Sequence, residues 1–155
     1  MSTSASAAKL QEIRVDLVDP NKENPRIHFR QKEMDELMES IAIHGIQVPV
    51  SVYRDGTRFT LIDGERRWRS ALKLNLRTIP ALVQEKPDRL TNLLLMFNIH
   101  ALREQWDLLT IATKLATIIE LLERQKKGRP TEIEIARQTG LSRGVIRRCR
   151  YLLEL

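Results

Sequence analysis

"LIDGERRWRSA", residues 61–71, joins a predicted β-strand to a predicted helix through a turn that is rich in arginine. Gly64 stands at the junction and is followed by Glu65 and two arginines. A helix N-terminus presents backbone N–H groups without intrahelical partners, and a glycine before it lets a ligand approach the backbone closely. The residues alone leave two interpretations open. The turn either binds an anion, or it is an ordinary helix start in which Glu65 suits the helix dipole and pairs with Arg69.

On both sides of this turn, apolar residues alternate in short runs that predict β-strands. The runs are "EIRVDLV" (12–18), "QVPVSVY" (47–53), "TRFTLI" (57–62) and "TIPALV" (78–83). Helical spacing predicts short helices at 31–45 and 65–75, the second with Trp68, Ala71 and Leu72 on its inner face. The patterns therefore predict an α+β domain at residues 12–86, with a small mixed sheet and short helices. Residues 1–11 are small and polar and predict a disordered tail.

After Pro87 every pattern is helical, which predicts a second, all-α domain at residues 87–155. Its last part, 131–153, has the lengths of a helix-turn-helix. Thr131 and Glu134 predict a capping box, Gly140 permits the turn, and Ser142 caps the second helix. The inner face of that second helix is predicted to hold Val145, Ile146, Cys149 and Leu152.

The formal charge of +6 is concentrated near the C-terminus, because residues 121–155 hold nine basic and four acidic side chains. A basic segment on a nearly neutral body indicates nucleic acid more readily than bulk solubility. Since the second helix of this motif enters the major groove, we predict that DNA is bound by Ser142, Arg143, Arg147, Arg148 and Arg150. The alternative is an ordinary helical hairpin with a solvated basic face.

Several classes of protein are disfavoured by composition. No apolar run approaches the ~18 residues that a membrane span needs, and the N-terminus lacks the apolar stretch of a signal peptide, so a cytoplasmic protein is expected. Cys149 is the only cysteine, which excludes an intrachain disulfide or a cysteine zinc site. His28, His44 and His100 are too scattered for a metal site and are expected at the surface or at helix ends.

The boxes "NPR" (24–26), "GIQVPV" (45–50) and "LIDGERRWRSA" resemble, in order and spacing, the N-terminal domain of the ParB family of chromosome- and plasmid-partition proteins. With "IPALV" (79–83) and the helix-turn-helix, the resemblance covers Ile13 to Leu155. It implies a ParB/sulfiredoxin-like fold and a dimeric clamp that binds a centromere-like site on double-stranded DNA. Such a clamp uses cytidine triphosphate (CTP) to close and slide, and works on the nucleoid or a plasmid with a partition ATPase. Because such proteins continue with further helices and a dimerisation domain, the resemblance predicts a fragment or a short member that dimerises otherwise.

The resemblance also assigns roles to residues of the nucleotide site. The triphosphate would be cradled by Gly64, Glu65, Arg66 and Arg67. The base would lie near the loop that contains Gly45, Gln47 and Pro49. A third box, "FNIHALR", would add Asn98, His100 and Arg103, and any magnesium would be bound by Glu65 and Asn98.

Two residues depart from the family pattern. Phe97 stands where a magnesium-associated glutamate is expected, so metal binding should be weak and hydrolysis slow or absent. Phe97 also fits the apolar spacing of its helix and is most simply a core residue. Val48 stands where glutamine commonly precedes the proline, which bears on the choice of base.

Three other functions make different demands on the residues. A helix-turn-helix regulator would use the first domain only to bind a partner protein and would not turn over nucleotide. A ParB-like nuclease would need clustered carboxylates or histidines for metal, and the sequence shows none. Sulfiredoxin chemistry would need a reactive cysteine in the first domain, whereas Cys149 lies in the second.

Overall fold

The computed structural model of the protein describes residues 8–25, 29–126 and 128–154. Parts of some predictions fall outside these ranges: tail residues 1–7, Arg26 of the "NPR" box, His28, Lys127 of the linker and Leu155. The chain forms two compact units. Described residues 8–22 and 29–86 belong to the first, and residues 23–25, 87–126 and 128–154 belong to the second.

The first unit is built on a five-stranded mixed sheet with the order β1-β5-β3-β4-β2. Its strands are β1 (Lys9–Arg14), β2 (Val18–Asp19), β3 (Val50–Asp55), β4 (Arg58–Asp63) and β5 (Thr78–Gln84). Strands β3 and β4 form an antiparallel hairpin, β5 runs parallel to β3, and β1 runs antiparallel to β5. The helices are α1 (Gln31–His44) and α2 (Glu65–Lys73). The predicted α+β class with a small mixed sheet is confirmed.

The core of this unit lies between the sheet and α2. Ten buried residues form one apolar cluster: Ile13, Val15, Val18, Val50, Val52, Leu61, Ala71, Ile79, Ala81 and Val83. Trp68 packs against the cluster, and its Nε1 donates a hydrogen bond to the Val15 carbonyl at 3.2 Å. Leu72, predicted on the inner face of α2, is instead 42% exposed, because Trp68 and Ala71 already cover the sheet.

The first predicted strand differs from the structure at both ends. β1 begins at Lys9, so Lys9–Gln11 belong to the sheet and not to a disordered tail. The cause is antiparallel pairing that extends from Lys9↔Val83 to Arg14↔Thr78. The strand also ends early, since a 3₁₀ turn at Val15–Leu17 lets both Val15 and Val18 enter the core before β2 pairs with β4.

The second unit is helical, as predicted. It contains α3 (Arg89–Met96), a π-helical segment (Phe97–Ala101), α4 (Leu108–Lys126), α5 (Glu132–Thr139) and α6 (Arg143–Glu154). Buried side chains on α4 and α6 include Leu115, Ile118, Ile146 and Cys149. Leu152, predicted on the inner face of α6, is 37% exposed, since burial on this helix ends at Cys149. Within the described ranges, no helix is both long and apolar enough to cross a membrane.

Candidate functional site

The sheet brings two of the sequence boxes to the same edge. β3 begins at Val50, directly after the loop 45–49, and β4 ends at Asp63, directly before Gly64. The two strands pair antiparallel, with Ser51 opposite Asp63. The loop and the start of α2 therefore lie beside each other because adjacent antiparallel strands carry them.

Gly64 adopts a left-handed conformation, with φ of 105° and ψ of 27°, and immediately precedes α2. A Cβ atom at this position would lie 2.7 Å from Val50 Cγ1 and 3.0 Å from Val50 Cβ. Only glycine fits such a backbone against such a neighbour. The first intrahelical hydrogen bond runs from the Trp68 N–H to the Gly64 carbonyl at 3.0 Å. The N–H groups of residues 65–67 come before this bond and so have no carbonyl partner within α2. This turn can receive an anion at the helix N-terminus.

Arg67, on α2, is hydrogen-bonded to the loop 45–49. Its Nη1 donates to the carbonyl oxygens of Val48 and Pro49, each at 2.7 Å. The loop begins at Gly45, which ends α1 with φ of 72°, and Gln47 is exposed in it. Arg67 was predicted to contact phosphate, and the structure places at least one of its nitrogens on the backbone of the neighbouring loop.

The other charged residues of the turn are paired. Arg69 Nη2 lies 3.1 Å from Glu65 Oε1, which is the pairing expected of an ordinary helix start. Arg66 Nη1 lies 3.3 Å from Oε2 of Glu33, on α1. The role of Glu33 was missed, since no local pattern connects a residue of α1 with a turn more than 30 residues away.

The remaining predicted nucleotide residues belong to the helical unit. Asn98 is exposed on the π-helical segment, and its Nδ2 donates to the Gln138 carbonyl at 3.3 Å. Arg103 is exposed, with Nη2 3.3 Å from His100 Nδ1. The two predicted metal ligands, Glu65 and Asn98, thus lie in different units. Among the residues that the structure describes, no group of three or more His, Cys, Asp or Glu could hold a metal ion.

His100 was expected at the surface or at a helix end; it lies in the last turn of the π-helical segment and is buried, with 3% of it exposed. Its Nδ1 lies 3.0 Å from Glu104 Oε1, and Trp106 Nε1 donates to the other oxygen of Glu104 at 3.3 Å. Glu104 was not singled out, although its spacing of four residues from His100 could have indicated the pair. Phe97 is 2% exposed and meets the Trp106 ring edge-on, with centroids 5.3 Å apart. Its predicted place in the core is confirmed.

The predicted caps of α5 and α6 are present. Thr131 Oγ1 accepts the Glu134 N–H at 3.2 Å, and Ser142 Oγ accepts the Val145 N–H at 3.2 Å. Gly140, with φ of 79°, ends α5, and Leu141 is buried in the turn.

The arginines of α6 do not share one environment. Arg143, Arg147 and Arg148 are exposed, and Arg150 is half-buried. Glu132, which was not predicted to take part, pairs with both Arg143 and Arg147. Hydrogen bonds from Arg143, and next from Arg147, lower the pKa of the Glu132 carboxyl below its ordinary value.

Comparison with known proteins finds chains of similar sequence and similar fold. Residues 1–99 match the family described as the ParB N-terminal domain. The chain is 31% identical over 155 residues to the probable chromosome-partitioning protein ParB of Coxiella burnetii, covering 99% of this chain and 51% of that protein. It spans about half the length, or less, of the curated relatives that it matches.

Two crystal structures of C-terminally truncated ParB from Caulobacter crescentus are also similar. The first is complexed to the centromeric parS site and is 26% identical, with a TM-score of 0.64 over 94% of this chain and 72% of that one. The second is complexed with CTP-gamma-S and is 27% identical, with a TM-score of 0.53 over 95% of this chain and 79% of that one.

Proposed function

Because this chain belongs to the ParB family through its N-terminal domain, we propose that it binds double-stranded DNA in chromosome or plasmid partition under the control of bound CTP. The observation that carries the nucleotide part is the turn at Gly64, where α2 begins with the N–H groups of residues 65–67 ahead of its first intrahelical hydrogen bond and beside the loop 45–49. The solved relative with CTP-gamma-S supports the same ligand class.

In this proposal the phosphates lie at the N-terminus of α2. The N–H groups of residues 65–67 donate to phosphate oxygens, and Arg66 adds a positive charge beside them. Arg67 holds the loop 45–49 against the turn through Val48 and Pro49, and so shapes the base side of the pocket. Asn98 and Arg103, which the resemblance adds to the nucleotide residues, belong to the helical unit, and His100 beside them pairs with Glu104.

Magnesium does not fit the residues present. Phe97 has no oxygen and is packed on Trp106. Glu65 already contacts Arg69 with one carboxylate oxygen. A magnesium ion held with a triphosphate ordinarily takes one or two protein carboxylates. We therefore propose that CTP acts as a bound ligand with slow or no hydrolysis.

DNA binding is assigned to α5 and α6 as a helix-turn-helix. Its second helix, α6, enters the major groove, and Arg143, Arg147 and Arg148 reach phosphates or base edges. Capped ends and a left-handed Gly140 hold the two helices in place. The relative bound to parS supports this class of partner. A dimeric clamp and a partition ATPase as partner belong to the same proposal.

Calorimetric titration with CTP, ATP, GTP and UTP tests the nucleotide site. Replacing Arg66 with Ala removes a charge-assisted contact of about 1.5–3 kcal/mol, so we expect affinity for CTP to fall by about tenfold or more. Arg77→Ala, which removes an equal charge outside the site, should leave affinity unchanged. If no nucleoside triphosphate binds at about millimolar concentration, the switch is refuted and a plain DNA-binding regulator becomes the better assignment.

Replacing Arg147 and Arg148 together with Ala tests the DNA site. Binding should weaken, and the log–log salt slope should fall by about one for each phosphate that is no longer neutralised. Arg124→Ala, on the exposed surface of α4, is the control for removing an arginine elsewhere in the helical unit. Equal affinities and equal slopes in all three proteins would refute the placement of α6 in the groove.

A further inference from the structure

Glu132 is the first residue of α5 and lies among the arginines of α6. Its Oε1 is 2.7 Å from Arg143 Nε and 3.1 Å from Arg147 Nη2, and its Oε2 accepts from Arg147 Nε at 3.2 Å. The Glu132 side chain is 19% exposed, whereas the two arginine side chains are more than half exposed. One carboxylate therefore engages two of the three arginines on the proposed DNA-binding face.

The ion pairs use the groups that would bind DNA. Arg147 presents its Nε and Nη2 edge to the two oxygens of Glu132, which is the fork that arginine also uses for a phosphate. The hydrogen bonds from Arg143 and Arg147 lower the pKa of Glu132, so the carboxylate is charged at neutral pH. Arg148, by contrast, makes no ion pair within the part of the chain that the structure describes.

We propose that Glu132 is an intramolecular competitor of DNA phosphate, holding Arg143 and Arg147 in ion pairs that must open before either guanidinium contacts DNA. This rests on the proposed function of α6. DNA of arbitrary sequence is bound mainly through its phosphates. For such DNA, Arg143 and Arg147 should therefore contribute less to the binding affinity than Arg148 does. Glu132 thereby limits non-specific binding and is a positioning residue for the arginines of α6.

Glu132→Gln tests the proposal, because it keeps the shape and hydrogen-bonding capacity of the side chain and removes its charge. The probe is a fluorescently labelled duplex of arbitrary sequence, about 20 base pairs or two helical turns long. Glu134→Gln is the matched control, since it makes the same change of net charge in the same helical turn. We expect Glu132→Gln to bind about threefold to tenfold tighter at 0.1 M salt with a steeper salt slope, and Glu134→Gln to change much less.

A double-mutant cycle measures how far the effects of Glu132 and Arg147 on DNA affinity depend on each other. That coupling would be absent if Glu132 only stabilised the fold. Arg147→Gln should cost little affinity in the wild-type background and clearly more in the Glu132→Gln background. Arg148→Gln should cost the same in both. Thermal unfolding followed by circular dichroism checks that each variant keeps its fold.

The outcomes separate this inference from the proposed function. If Arg148→Gln weakens binding while Glu132→Gln behaves like Glu134→Gln and the cost of Arg147→Gln is equal in both backgrounds, the competitor role is overturned and α6 still binds DNA. If no arginine variant weakens binding in either background, the proposed DNA-binding face itself is wrong.

Discussion

Gly64 is the residue at which the fold and the candidate site depend on each other most directly. Its left-handed backbone joins β4 to α2, and the space where a side chain would begin is filled by Val50. The same turn starts α2, whose N-terminal N–H groups are the proposed ligand contacts. A substitution here is therefore expected to disturb the packing of the fold before it disturbs binding.

We predict that Gly64→Ala destabilises the protein by about 1–3 kcal/mol through overpacking, with about 1–2 kcal/mol more from the left-handed backbone. Gly56→Ala is the control, because Gly56 is also left-handed, with φ of 64°, but nothing lies within 4 Å of its added Cβ. Urea unfolding of both variants isolates the steric contribution. If both variants lost the same free energy of unfolding, the added methyl group at residue 64 would be accommodated by a movement of Val50 that costs no stability.

Side-chain caps mark where all four described α-helices of the second unit begin, and at the start of α4 Asp107 Oδ1 accepts the Thr110 N–H at 2.7 Å. Asp88 Oδ1 accepts the Thr91 N–H at 2.7 Å at the start of α3, and Thr131 and Ser142 do the same for α5 and α6. The hydrogen bonds from Thr91, first from its backbone, lower the pKa of Asp88. This cap is therefore sensitive to pH, while the two hydroxyl caps are not.

We predict that the contribution of the Asp88 cap is lost in acid. Because the pKa is lower in the folded state than the unfolded value of about 3.9, the stabilisation is present above that value and disappears as the pH falls through the folded pKa. Asp88→Ala should cost about 1 kcal/mol at neutral pH, whereas Asp88→Asn should keep the cap. Urea unfolding between about pH 7 and pH 3 should show a smaller acid-induced loss for Asp88→Asn than for wild type. If wild type and Asp88→Asn lost the same free energy of unfolding as the pH falls, protonation of Asp88 would not contribute to the stability of the fold.

Across the molecule, the described residues hold many charges but no cluster of metal-binding side chains. The residue at the expected carboxylate position, Phe97, is instead part of the core of the helical unit. The protein therefore combines the proposed phosphate-binding turn with residues that do not suit magnesium.

We predict that CTP affinity changes less than about threefold when magnesium is replaced by EDTA, and that phosphate release stays slow with DNA present, because the site lacks the usual carboxylates. Phe97→Glu supplies a carboxylate but loses a buried ring, at about 3–5 kcal/mol. If that variant is folded and nucleotide binding gains magnesium dependence, the alignment of the third box is supported. Robust magnesium-dependent turnover by the unmodified protein would refute the prediction.

Features that depend on neighbours within a few residues could be predicted from the amino-acid sequence. The helix ends at Gly45 and Gly140, the caps at Thr131 and Ser142, and the hairpin at Asp55-Gly56 all act locally. Alternation and helical spacing, which are also local, were enough to predict an α+β unit followed by a helical one.

Which charged groups meet, by contrast, depends on how distant segments pack. Arg67 contacts the carbonyls of Val48 and Pro49, and Arg66 contacts Glu33, because the sheet and α1 bring these segments together. The division of the first predicted strand into β1 and β2 follows from pairing with β5 and β4. The pairing of Glu132 with Arg143 and Arg147 likewise requires α5 and α6 to be packed, since an ion pair depends on distances of a few ångströms that no sequence spacing across a turn specifies.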